Sequence, residues 1–350
     1  MDLPLALPIA PMLAKAVPVV PAQDSVPGGF SYEPKWDGFR AIVSRADGGC
    51  EIGSRGSKPL TRYFPELVAA FLDLLPDGCV LDGEIVLATG DRGAQRLDWE
   101  LLSQRIHPAA SRVATLAAET PAMLVAFDLL AVGGRSLLEE PYSARRAALA
   151  GLLDGVAPPL HLGRTTADEA LARDWLDRFE GAGLDGVVAK ALDAPYAPGK
   201  RSMLKVKHHR TADVIAIGYR EHTSKPGLGS LLLGLHDADG NLRQVGGASA
   251  FTDARRVELV EELADVVERD EAGDPVRGDG ERSRFSGSRD TTFVRLRPTR
   301  VLEVRYDQME GERFRHTVQF ERWRPDREAA SCTFEQLERP TAYDLDDVLG

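Results

Sequence analysis

The sequence predicts an α+β protein of two domains, the first over residues 1–209 and the second, an OB-type barrel, over residues 210–350. Three observations predict it. The chain has 350 residues, about two domains at the usual domain size. From residue 30 to about 207, apolar strand-like runs alternate with amphipathic helical ones. Beyond that, five short strand-like runs follow closely, with an acidic helical stretch between the third and fourth, the pattern of an OB barrel. A composition of 43% hydrophobic and 28% charged residues suits a globular chain rather than a disordered one.

The elements follow in order. The first thirty residues are Pro-rich and read as an irregular segment lying on a domain. Residues 39–46 read as a strand, turning through 48–50 into a second. Residues 65–75 carry apolar residues at helical spacing. Residues 79–88 and 122–132 are continuous apolar runs with polar flanks, the mark of buried strands. Residues 143–156 and 168–183 are amphipathic helices, the second capped by Gly181 and Gly183. Residues 185–192 form a further strand. The second domain holds strands at 213–221, 229–237, 242–249, 291–298 and 301–309. Its helix spans 253–271, and 270–290 reads as a polar loop.

Composition narrows the function. Lys and Arg number 43 against 54 Asp and Glu, a net charge of −11. A whole-surface basic coat is excluded, so a polyanion site must be a local patch. Lys200, Arg201, Lys205, Lys207 and Arg210 form such a patch in a stretch without acids. No apolar run approaches the ~20 residues that span a bilayer. The N-terminus is a poor signal peptide, having prolines and no positive charge before its apolar part. Cys50, Cys79 and Cys332 are far apart and form no C-x-x-C, which fits a reducing cytoplasm.

The strongest local signal is Glu33-Pro34-Lys35-Trp36-Asp37-Gly38-Phe39-Arg40. Its K-x-D-G-x-R spacing arises by chance in under ~1% of chains this long. Further elements follow in order: Ser54-Arg55-Gly56, Asp82-Gly83-Glu84 in an apolar strand, Phe127-Asp128, Asp185-Gly186-Val187-Val188-Ala189-Lys190, and Lys205-Val206-Lys207 on one face of a strand. Arg322-Trp323-Arg324-Pro325-Asp326-Arg327 comes last. The Asp82–Glu84 carboxylates are expected where a core strand meets solvent.

This ordered set resembles the covalent nucleotidyltransferases, the superfamily of DNA ligases, RNA ligases and mRNA capping enzymes, and most of all the compact two-domain ATP-dependent DNA ligases of bacteria. The resemblance covers essentially the whole chain. It implies a nucleotidyltransferase (adenylation) domain with antiparallel sheets flanked by helices, followed by the OB-fold domain. It implies ATP as cofactor, Mg²⁺ or Mn²⁺ as metal, nicked duplex DNA as partner, and repair polymerases or primase-like proteins as further partners of a monomer. Lys35 is then the nucleophile that carries AMP. Glu33 takes the adenine amino group, Phe127 stacks on adenine, and Glu84 and Arg40 meet the ribose. Lys190, Lys205 and Lys207 complete the nucleotide site, the last two on the α-phosphate. Arg55 takes the 5′-phosphate of a nick, and Arg324 and Arg327 the pyrophosphate. Asp185 and Glu84 are the metal carboxylates. Most of the superfamily carries Glu where this chain has Asp185, one methylene shorter.

Blander readings compete at single positions. Glu84 alone reads as a core partner, Phe127 alone as core, and the paired lysines as a solvated edge. Gly199-Lys200 is not a P-loop, because Ala194 stands where the first glycine is required. His208-His209 takes no role. Two other functions remain: an RNA ligase or GTP-using capping enzyme, and a non-catalytic module binding single strands through Tyr219 and Phe251.

Overall fold

The computed structural model describes residues 3–90, 95–178, 184–207, 210–279, 291–337, 345 and 348–349. The chain divides into a first unit, Met1–His208 with Arg339–Gly350, and a second, His209–Glu338. The expected second domain, 210–350, therefore gives up its end. Leu345 and Val348 are buried in the first unit beside Trp175 and Val125. The Arg164 N–H donates to the Val348 carbonyl. Three apolar residues in an acidic tail were the signal for this return. Gly181, Gly183, His208 and His209 lie outside the described residues.

The first unit runs β1 (Leu13–Ala16), β2 (Phe30–Trp36), β3 (Phe39–Ala46), β4 (Gly49–Ser54), α1 (Pro65–Leu74), β5 (Cys79–Val86), α2 (Trp99–Ser103), α3 (Ala110–Glu119), β6 (Met123–Val132), α4 (Tyr142–Leu152), β7 (Leu160–Leu162), α5 (Glu169–Arg178), β8 (Leu184–Ala191) and β9 (Arg201–Val206). Among the described residues two large sheets form, of order β1-β9-β8-β2 and β7-β6-β5-β3-β4, beside a two-stranded ribbon of 88–89 with 96–97. Asp37-Gly38 carries the chain from the first sheet to the second. A Cβ on Gly38 would stand 2.1 Å from the Ile85 carbonyl oxygen, so only glycine lets the crossing strand come this close. One core cluster packs Phe64, Leu67 and Phe71, and Leu149 of α4, against Leu81, Ile85 and Leu124 of the second sheet. Another joins Tyr32, Trp36, Phe127, Trp175, Leu184 and Val206. Burying these side chains supplies ~1.5–3 kcal/mol each.

The second unit runs β10 (Arg210–Glu221), β11 (Leu228–His236), β12 (Leu242–Ala248), α6 (Asp253–Leu263), β13 (Thr292–Arg295), β14 (Val301–Tyr306) and β15 (Gln319–Trp323). The long β10 pairs with β14 along its first half and β11 along its second. Parallel bridges at Ala248–Val318 and His236–Thr333 help to draw the sheet round, as an OB barrel requires. Strand β15 was not expected, although Val318, Phe320 and Trp323 give it an apolar rhythm. The expected helix 253–271 stops at Leu263. Val266 and Val267 follow, β-branched and poor in helices. Val266 is buried in the barrel core and Val267 bridges Leu296. Tyr219 is buried in the barrel, so the non-catalytic reading loses that stacking ring; Phe251 is half-buried against Phe320. No described helix is long and apolar enough to cross a membrane.

A buried ion pair pins α4 to the second sheet. Arg145 is fully buried, and its Nε and Nη2 donate to the two Asp128 oxygens at 2.8 and 3.0 Å. Its Nη1 donates to the Glu140 and Ala194 carbonyls. Breaking such a pair from one side leaves a buried charge uncompensated and costs ~3–5 kcal/mol. Arg145→Ala is expected to lower the melting transition of the first unit by roughly 10 °C. Asp128→Leu combined with Arg145→Met should recover much of that loss. A single variant that melts like wild type would remove the pair from this role.

Candidate active site

The end of the first sheet assembles the lysines. Lys35 is the penultimate residue of β2, and β8 runs antiparallel beside it. The register pairs Leu184 with Trp36 but Val187 with Pro34. Asp185 and Gly186 therefore form a β-bulge opposite Lys35, and such bulges re-aim side chains. Gly186 has φ +128°, and a Cβ on it would stand 1.9 Å from the Val206 carbonyl oxygen. The bulge brings Asp185 Oδ2 to 2.6 Å from Lys35 Nζ and 3.1 Å from Lys207 Nζ. Burial alone would raise the Asp185 pKa, but Lys35 and Lys207 outweigh it and hold the carboxyl below its ordinary value. Lys205 pairs across β8 with Val188. Burial and the charges of Lys35 and Lys207 lower its pKa. Arg55, exposed just past β4, adds to the same field.

The second sheet supplies the facing groups. Arg40 on β3 lies opposite Glu84 on β5. Its guanidinium grips the fully buried Asp82, with Nη2 to Oδ2 at 2.6 Å. The Tyr196 hydroxyl donates to the same oxygen at 2.6 Å and accepts from the Met12 N–H. Asp82 is thus a structural anchor for Arg40, not a carboxylate at the solvent edge. The expectation failed because its partners lie 42 and 114 residues away. Asp128 is likewise structural. Glu84 is only partly buried and feels the charges of Arg40 and Lys35. Burial pushes its carboxyl up to about 7, against the pull of Arg40 and Lys35.

Phe127 occupies a second bulge. Asp82 pairs with Asp128 and Gly83 with Ala126, leaving Phe127 as the extra residue. The Arg40 guanidinium lies 4.5 Å from its ring centroid and the Lys190 ammonium 4.4 Å. Lys190 Nζ also sits 2.9 Å from Glu33 Oε1, both side chains being buried. Burial raises the Glu33 pKa, and Lys190 pulls it back. Glu33 Oε2 is buried and without a hydrogen-bond partner among the described residues.

Among the described residues no group of three or more His, Cys, Asp or Glu could hold a metal ion. Asp185 and Glu84 are two hard oxygen donors that both feel the Lys35 charge. That set suits Mg²⁺ or Mn²⁺, which take one or two carboxylates and complete their shell with substrate phosphates and water.

Arg324 and Arg327 belong to the second unit. Arg324 Nη1 donates to Asp213 at 3.0 Å, and Arg327 Nε lies 3.2 Å from the same carboxylate. Arg324 also binds Asp326. The two arginines line a pocket of about 470 Å³ with Arg297, Arg300 and Trp323. Arg297 and Arg300 were not singled out from the sequence; they belong to a connection between strands and carry no motif.

Comparison with known proteins points one way. A family model described as the ATP dependent DNA ligase domain matches residues 11–207, and one described as the ATP dependent DNA ligase C terminal region matches residues 224–327. The chain is 55% identical over 354 residues to DNA ligase C1 of Mycolicibacterium smegmatis, covering 100% of this chain and 99% of that one. It is 50% identical over 364 residues to DNA ligase C of Mycobacterium tuberculosis, with coverage of 100% and 99%. A solved structure from a structure–function analysis of Lig E DNA ligases shares the fold, with TM-score 0.53 at 17% identity, covering 90% of this chain and 99% of that one.

The Glu84 carboxyl makes stability depend on pH. Its folded value, about 7, lies above its ordinary 4.5. Between the two, the native state holds a proton that the unfolded state has lost, so stability falls as pH rises through this window. Fully ionised Glu84 costs up to ~3 kcal/mol. Glu84→Gln mimics the neutral carboxyl. Its stability advantage over wild type in urea unfolding should be absent near about pH 4 and grow towards ~3 kcal/mol near about pH 8. A difference that stays flat with pH would overturn this account of Glu84.

Proposed function

The chain belongs to the ATP-dependent DNA ligases, and on that premise we propose that it seals nicks in duplex DNA through AMP carried on Lys35, in the service of DNA repair. The observation that carries the reading is Lys35 Nζ at 2.6 Å from Asp185, with Lys207 on the same carboxylate oxygen and Lys205 beside them. A lone lysine is a protonated surface charge at neutral pH. Burial and the charges of Lys35 and Lys207 lower the Lys205 pKa. Lys35 has the place for the attack, at the end of a strand where the chain leaves the first sheet, with its side chain 21% exposed.

Phosphoryl transfer depends chiefly on positioning and charge neutralisation. In the first step the neutral Lys35 amine attacks the α-phosphate of ATP. A P–N bond forms, the bond to the β-phosphate oxygen breaks, pyrophosphate leaves, and the amine proton passes to water. In the second step an oxygen of the 5′-phosphate at the nick attacks the same phosphorus. The P–N bond breaks and Lys35 regains a proton. In the third step the 3′-hydroxyl attacks the 5′-phosphate, its proton passes to water, and AMP leaves. Asp185 and Glu84 would hold a divalent cation, which would supply positive charge against the phosphate oxygens.

The chain's own groups divide the remaining work. Lys205 and Lys207 hold the α-phosphate non-bridging oxygens. Glu84 and Arg40 take the ribose hydroxyls, Arg40 being aimed by Asp82. Phe127 packs on the adenine. Glu33, held in place by Lys190, uses its unpartnered Oε2 to accept from the adenine 6-amino group. Arg55 receives the nick 5′-phosphate. Arg324 and Arg327 serve the pyrophosphate of the first step.

The test is incubation with α-labelled ATP and Mg²⁺, followed by denaturing electrophoresis and a chase with nicked duplex DNA. Wild type should retain label and pass it to DNA; Lys35→Ala should show neither. The variant given pre-adenylated nicked DNA should still join it, because only the last step is then required. Unlabelled wild type, after pyrophosphate has stripped any resident AMP, would overturn the proposal.

A further inference from the structure

Three polar atoms in one neighbourhood are buried without hydrogen-bond partners among the described residues: Glu33 Oε2, the Tyr142 hydroxyl and Arg146 Nη1. Several contacts tie them together. The Lys190 ammonium that binds Glu33 also lies 4.8 Å from the Tyr142 ring centroid. The charge of Arg146 acts on both Glu33 and Tyr142. Tyr142 is 1% exposed and Glu33 5%. The other Arg146 arm, Nη2, donates to the Gly163 carbonyl, which fixes the guanidinium and leaves Nη1 turned elsewhere. Leaving a buried polar group unpaired costs ~1–3 kcal/mol. Three in one place mark a site that a ligand completes.

The inventory is one acceptor and two donors. Adenine presents the complement on one edge: the 6-amino group donates, and N1 and N7 on either side accept. Guanine carries a proton on N1 and an acceptor at position 6, so it meets the same set with two mismatches. From this we infer that Tyr142 and Arg146 are specificity-determining residues, each donating to one ring nitrogen of the adenine whose amino group Glu33 accepts. The inference rests on the nucleotide-site reading above and adds to it two residues of α4. It explains why a hydroxyl and a guanidinium arm are buried where an apolar lining would otherwise be less costly. Sites that hydrogen-bond a substrate group discriminate strongly against analogues lacking it, because the site's own groups are then left unpaired.

A chemical double-mutant cycle tests it. Formation of lysyl-AMP is measured with ATP, 1-deaza-ATP and 7-deaza-ATP, in wild type, Tyr142→Phe and Arg146→Met. Wild type should lose roughly 10- to 100-fold in kcat/KM with each deaza analogue, corresponding to ~1.4–2.8 kcal/mol. Each variant should lose a similar factor with ATP, mainly through KM. Each should also become indifferent to one of the two analogues, since the missing nitrogen no longer has a partner. A variant weakened only by misfolding would keep both analogue penalties. Should Arg146→Met fail to fold, Arg146→Lys and Tyr142→Phe carry the same test. Full penalties retained in every variant, or wild type insensitive to both analogues, would overturn the inference. Wild type unlabelled by ATP itself would instead indict the parent reading of the site.

Discussion

Backbones approach one another around Lys35 more closely than any side chain permits. Beside Gly186 the neighbouring carbonyl oxygen of Val206 lies where a Cβ would have to be, and beside Gly38 the carbonyl of Ile85 does. The first approach sets the bulge that turns Asp185 onto Lys35. The second swings the chain from one sheet to the other between Lys35 and Arg40, five residues apart. Both glycines follow an aspartate. The Asp-Gly step therefore works as a structural device in which a small residue admits a neighbouring strand and the preceding carboxylate is left at the junction.

Charge is organised in two tiers around that junction. The inner tier is largely buried and ion-paired: Arg40 with Asp82, Arg145 with Asp128, Lys190 with one oxygen of Glu33. Pairs of this kind gain little stability over well-packed apolar groups, but they fix the direction of each side chain. The outer tier is partly exposed and oversupplied with cations: Lys35, Lys205, Lys207 and Arg55 share Asp185 as the carboxylate bound to two of them. An anionic substrate is thus drawn to the outer tier, while the inner one keeps the receiving groups rigid. The protein as a whole is acidic, at −11, so attraction of this kind is local.

The motif residues were legible because they stand in the order that resembles the covalent nucleotidyltransferases, and order survives in one dimension. Lys35, Asp185, Lys205 and Lys207 stand out in that resemblance, and the fold brings them together. Which carboxylates work and which merely hold was not legible. Asp82 and Glu84 sit two residues apart on one strand, yet one is sealed under Arg40 and Tyr196 while the other is partly exposed within the field of Arg40 and Lys35. That difference is made by residues remote in sequence. Tyr142 and Arg146 were invisible for the same reason, since only tertiary packing sets them beside Glu33. Helix α3 and strand β15 escaped notice because their apolar rhythm is short. The α6 helix was drawn too long because its charge pattern continues past the valines that end it.

The return of Leu345 and Val348 to the core of the first unit gives the chain an unusual connectivity. The barrel is spliced into the first unit as an insertion, with flanking sequence on both sides contributing to one core. Residues 1–209 expressed alone would thus lack part of their own packing, exposing apolar surface next to Trp175. A chimaera that swaps the barrel for another must keep both seams, joining the guest near residue 209 and again near residue 338. For protein engineering, the natural cassette is therefore His209–Glu338, carried by a host that retains its own C-terminal residues.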